Sequence, residues 1–183
     1  MDFWNLYNFV SRCLRPRIEK EVSGLKLREI PLATKRGNQI RNDQQNRVIQ
    51  LGRISAYKKM MEKYPLVLRK GYSSNYNCHG MTFASRRTGI YEVNEVNKII
   101  TEDDYIEIKD LKSVMPGDIA LYFEDGEVSH SAIVISEPND GLLTRKVVSK
   151  WNWGEEIVHG ERDCPYGQGE IRYFRTKLNE IVF

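Results

Sequence analysis

Five short runs in the second half of the chain restrict the fold more than any other feature of the sequence. "YIEIK" leads through "SVMPGD" to "IALYF", and the acidic turn "EDGE" leads to "SHSAIVIS". "EPNDG" then leads to "LLTRKVVSKW", and "IRYFRT" comes near the end. Runs rich in Ile, Val and Tyr, separated by Gly, Pro and Asp turns, predict an antiparallel meander, because side chains alternate across a strand and two-residue and longer turns reverse it. In "SHSAIVIS" this alternation puts His130, Ala132 and Val134 on one face, and Ser131, Ile133 and Ile135 on the other.

The first half reads as helical. Phe3, Leu6, Tyr7, Val10, Cys13 and Leu14 form one stripe at helical spacing that ends before Pro16. The polar segment "IPLATKRGNQIRNDQQN" reads as a loop that links an arm to the main domain. From Asp43 to about Glu62, Val48, Leu51, Ile54, Lys58 and Met61 recur at three and four, and Pro65 closes that helix. A third helix is expected from Cys78 to Gly89, with the glycine as its stop, and another from Asn94 to Thr101. Helices first and sheet later is an α+β arrangement. The expected organisation is a basic helical extension over 1–64 and an α+β domain over 65–183.

Charge divides along the same line. Residues 1–70 carry sixteen Lys and Arg against six Asp and Glu, a net +10, whereas residues 71–183 carry twelve against nineteen, a net −7. A basic segment of this kind suits an acidic partner or an anionic surface, or neutralises the acidic half of its own chain. No glycine-rich phosphate loop follows a strand, so nucleotide chemistry has no support, and nucleic acid is not the expected partner. The N-terminus lacks the basic start of a signal peptide, and no run approaches the roughly 20 apolar residues of a membrane span. The expected location is therefore the cytoplasm, or that of an effector delivered without a classical signal. Three cysteines without close spacing oppose a disulfide framework, and three scattered histidines oppose a metal site; no cofactor is expected.

The stretch "SSNYNCHGMTFA" raises the chemical question. A cysteine at the first turn of a helix meets unpaired amides and the positive end of the dipole, both of which favour a thiolate. A packed thiol is the plain alternative. His130, opening an apolar strand, supplies the base or imidazolium that thiol catalysis needs; a half-exposed histidine at a strand end is its plain alternative. Trp151 and Trp153, with Tyr72 and Tyr76, either wall a cleft or cover the sheet end. Cys13 and Cys164 read as structural.

"NYNCHGMTFA" followed by "LKSVMPGDIALYFEDGEVSHSAIVIS" resembles the NlpC-type branch of the papain-like superfamily, which includes the CHAP amidases. The likeness covers roughly Gly71 to Trp153. It implies a papain-like fold of helices packed on an antiparallel sheet, with Cys78 as nucleophile, His130 as base, and a third polar residue on the next strand to orient the imidazole. Ser149, His159 and Asn152 are the candidates for that place. His79 departs from the small residue that many relatives carry after the cysteine. The resemblance implies hydrolysis of an amide in a peptide or peptidoglycan stem; acyl transfer or deamidation would use the same Cys–His chemistry. A catalytically silent module that binds through its basic segment is the competing class.

Overall fold

The computed structural model describes residues 28–44, 58–59, 61–138, 144–151 and 154–177. The helix expected before Pro16 lies outside them, as does most of the one expected from Asp43 to Glu62, of which residues 58, 59 and 61 are helical. The elements are β1 (Leu66–Lys70), α1 (Cys78–Phe83), α2 (Val93–Glu102), β2 (Tyr105–Ile108), a short 3-10 turn (Leu111–Ser113), β3 (Ile119–Glu124), β4 (Glu127–Ser136), β5 (Lys146–Lys150), β6 (Glu156–Gly160) and β7 (Glu170–Thr176).

The seven strands form one antiparallel sheet in the order β1-β6-β5-β4-β3-β7-β2. The class is thus α+β. In the centre of the sheet, β3-β4-β5 is the meander that the alternating runs predict, and β6 extends it. The flanks of the sheet are not predicted: the last strand returns to lie between β3 and β2, and β1 crosses to the far edge beside β6. Leu66–Lys70 and Glu156–Gly160 are strands that the sequence reading did not assign.

Each face of the sheet has its own core. On one face Ala120, Tyr122, Ala132, Val134, Val147, Trp151 and Ile157 pack with Cys164, Tyr166 and Tyr173. On the other, Ile119, Leu121, Val128 and Phe174 meet Ala84, Ile90 and, from α2, Val96 and Ile99. Residues 28–44, expected as a linker, reach this second core, in which Ile40 is buried and Leu32 is partly buried. They are held there by a bridge between Asp43 and Gly89 and by bonds from Thr34 and Asn38 to Glu102. The described part of the basic extension therefore shares a core with the domain that follows it.

The helix at Cys78 is shorter than expected. It stops at Phe83 rather than Gly89, because Ser85 and Arg86 take positive φ values of 49° and 66° that turn the chain out of the helix. The "PGD" turn has a structural explanation. Gly117 adopts φ +99°, and buried Asp118 accepts from Met115 N at 2.8 Å and from Arg175 Nε and Nη2 at 2.6 and 2.7 Å. This clamp ties the entry of β3 to β7. Asp118→Ala leaves both donors without their acceptor and should destabilise the fold by about 2 kcal/mol, seen as a lower urea midpoint with an unchanged slope.

Candidate functional site around Cys78

Asn77 fixes the start of α1. Its Oδ1 accepts from Gly80 N at 2.9 Å, the N-cap bond that a helix start lacks on its own, and also from Ile90 N at 3.0 Å. Its Nδ2 donates to the Ile90 carbonyl at 2.6 Å. Gly80 faces the chain's own loop: a Cβ there would stand 1.8 Å from the Thr88 carbonyl oxygen. The close approach that glycine permits is therefore internal packing, not room for a substrate. Cys78 and His79 are completely buried.

Helix α1 meets the sheet through Thr82, whose hydroxyl lies 3.0 Å from that of Ser131 on β4. His130 is the next residue, so its ring points to the other face. There it stacks on Tyr166 with centroids 3.9 Å apart and planes 10° from parallel, and meets Tyr122 edge-on at 5.3 Å. Neither ring nitrogen of His130 has a hydrogen-bond partner among the described residues, and the same is true of His79. Burial pushes the His79 imidazole down to about 3. His130 is driven well below the ordinary histidine value by burial first and then by His79 and His159. Both rings are neutral at neutral pH, so an imidazolium resting beside a thiolate, one of the two forms expected, is disfavoured at His130.

The two described candidates for the third place are bonded to each other. Ser149 Oγ lies 2.8 Å from His159 Nε2, and His159 Nδ1 lies 2.7 Å from the Gly160 carbonyl. A carbonyl can only accept, so Nδ1 carries the proton and Nε2 accepts from the serine hydroxyl. Trp151 Nε1 donates to the same hydroxyl at 3.0 Å. This chain of three side chains consumes both nitrogens of His159 and keeps it neutral; burial lowers its pKa to about 4 despite the Gly160 bond. Asn152 lies outside the described residues. Trp151 is a core residue, edge-on to Tyr64 and His159, and Trp153 is not described.

A charged cluster that the sequence reading missed lies on the α1 face of β5 and β6. Glu156 is buried and accepts from Arg86 at 2.5 and 3.1 Å, from Arg69 at 3.3 Å and from the Tyr76 hydroxyl at 2.8 Å. Burial raises its carboxyl, but these donors outweigh it and hold the group below the ordinary range. Lys150, opposite Glu156 in the strand register, is completely buried. The signal was present in "KVVSKW": alternation turns Ser149 to one core, and so it turns the neighbouring lysine into the other. Burial brings Lys150 down to about 8, opposed by the charges of Glu156 and Cys78.

Beside the β3–β4 turn a cleft of about 330 Å³ is lined by Phe123, Glu124, Asp125, Ser129, Tyr166 and Glu170, among others. Tyr166 is thus shared between the cleft wall and the His130 stack. No group of three or more His, Cys, Asp or Glu fit to hold a metal occurs among the described residues, and no described helix is long and apolar enough to cross a membrane. Cys164 is buried, and its thiol is pushed up to about 12, chiefly by burial, which suits a packed, unreactive sulfur.

Three histidines buried neutral give acid a direct route to unfolding. In the unfolded chain imidazole titrates near about 6.5, and in the folded protein all three are lower. The stabilisation is complete above that unfolded value and is lost as pH falls from there toward 4. Each histidine should add a slope approaching about 1.4 kcal/mol per pH unit over that window. Urea midpoints measured from pH 7 down to pH about 4.5 should fall steeply, and His130→Phe, which keeps a ring on Tyr166, should reduce the slope by one histidine's share.

No protein-family model matches the chain, and comparison with curated proteins and with solved structures finds no match to it.

Proposed function

We propose that the protein is a thiol-dependent amide-bond hydrolase of papain-like type, with Cys78 as nucleophile and His130 as general base. The Cys78 sulfur attacks the carbonyl carbon while its proton passes to the imidazole. The proton then goes to the leaving amine as the C–N bond breaks, and water hydrolyses the thioester. A peptide or peptidoglycan-stem amide is the substrate class, and transfer or deamidation would differ only in what attacks or leaves.

The observation that carries this reading is the state of His130. A buried imidazole with no partner among the described residues costs about 1–3 kcal/mol of unsatisfied polar group. A neutral ring with an unused nitrogen is also what a general base must offer. Retaining such a cost on the central strand of the sheet is expected where function needs it. The cleft walled by Tyr166 lies one ring away from the histidine.

A second reading, a catalytically silent module, is favoured by a separate observation. The Cys78 sulfur is buried, and the helix it begins meets β4 through Ser131, on the face away from His130. Proton transfer needs the imidazole and the sulfur within about 3 Å of each other or joined by one water, so the hydrolase reading requires the site to rearrange on binding.

An activated acyl ester separates the two. Intact mass should show an acyl adduct that forms and turns over, maps to Cys78 and vanishes in Cys78→Ala, and turnover should fall about 100-fold or more in His130→Phe. An adduct that forms no faster on Cys78 than on Cys164, or turnover that His130→Phe leaves unchanged, would overturn the proposed pair.

A further inference from the structure

The polar cluster on the α1 face contains a cation whose place in the fold is tied to Cys78. Ser149 shares a face with Ala132, its partner in the β4–β5 register, so Lys150 projects from the opposite face, toward Ser131 and α1. Two groups fix the ammonium there: Nζ donates to the Gly154 carbonyl and lies 4.7 Å above the Tyr76 ring centroid, while Glu156 is the residue opposite Lys150 in the strand register. Tyr76 is two residues upstream of Cys78, and its hydroxyl is bonded to Glu156, so one aromatic ring joins the start of α1 to both charged groups.

The charges around this point do not balance. Among the described residues five cations, Lys150, Lys70, Lys58, Arg69 and Arg86, act on two carboxylates, Glu156 and Glu155. The buried carboxylate is already held by two arginines and a tyrosine. An ammonium in low dielectric with its nearest anion shared in this way gains more from a second anion than a solvated lysine would. The sulfur of Cys78 is the ionisable group at α1 that can become one.

We propose that Lys150 is a positioning residue for Cys78, holding its sulfur as a thiolate through the charge of a buried ammonium. This rests on the hydrolase reading only in taking Cys78 as the reactive sulfur. It gives the thiolate a source other than helix α1, which at six residues is too short to supply much dipole. It also divides the work: the lysine sets the ionisation of the sulfur, and His130 moves protons during acyl transfer. The coupling is reciprocal, so ionised Cys78 raises the lysine as much as the lysine lowers the thiol.

The test reads ionisation rather than turnover. In the full chain, ultraviolet thiolate absorbance against pH, taken as the difference from Cys78→Ser, should place the Cys78 midpoint below the ordinary thiol value of about 8.5. Lys150→Met should raise that midpoint by about one pH unit or more, a tenfold loss of thiolate at neutral pH, and Lys150→Arg should keep it low. An unperturbed wild-type midpoint overturns the inference, as does a Lys150→Met midpoint within about 0.3 pH unit of wild type, or an arginine variant that behaves like methionine.

A second measurement does not depend on the lysine variants folding. The titration of Lys150, followed by NMR of carbon-labelled lysine, should shift to lower pH in Cys78→Ser, and equal midpoints in the two proteins overturn the proposal. Midpoints that behave as expected in a protein without acyl turnover support Lys150 and sink the hydrolase reading. Acyl turnover in a protein whose thiol ignores Lys150 does the reverse.

Discussion

Strand β4 has no solvent-facing side from Val128 to Ala132, and the rest of the domain is arranged around that double burial. On one face it must be covered by α1, and on the other by Tyr122, Tyr166 and Trp151. A strand buried on both faces must have its backbone groups paired, and β3 pairs with β4 from Glu127 to Ile133 while β5 takes the other side from Ala132 to Ser136. The two cores then extend outward from this strand, one toward α2 and the 28–44 loop, the other toward the Cys164–Tyr166 turn.

Double burial also decides what the polar residues of β4 and β5 become. Ser131 is satisfied by Thr82, and Ser149 by Trp151 and His159. Lys150 uses the Gly154 carbonyl and the Tyr76 ring. His130 and His79 have no hydrogen-bond partner on either ring nitrogen among the described residues, and both are kept neutral by desolvation. The Lys150 ammonium, with the Arg69, Arg86 and Glu156 charges around it, therefore lies one thickness of sheet away from the neutral His130 ring.

Much of this arrangement was legible from residue order. The five alternating runs each became a strand, and the helix expected over Asn94–Thr101 appears as Val93–Glu102. What escaped was non-local. Leu66–Lys70 is mostly exposed and alternates poorly, and Glu156–Gly160 mixes charge with apolar residues, so neither carried the period-two signal; pairing made them strands. The early end of α1 follows from the left-handed turn at Ser85 and Arg86, which holds the arginine against Glu156. That bond spans 70 positions in the chain. The alternation that grouped His130 with Ala132 and Val134 was read correctly, but nothing in a single strand tells which face a distant helix will cover.

The Asn77 side chain has a further consequence, for folding order. Its bonds to Ile90 close a loop of modest sequence separation, 13 positions, which costs little chain entropy compared with the partners of β1 and β7. A six-residue helix does not persist in isolation. The local closure at Asn77 and Ile90, with the backbone contact at Gly80 and Thr88, is what gives α1 its direction. The cysteine thus acquires its orientation from a nearby knot of amide bonds, early and cheaply, while its electrostatic surroundings arrive only when the distant strands β5 and β6 dock. A chain interrupted between these two stages would hold α1 in place without the charges of Lys150 and Glu156 beside it.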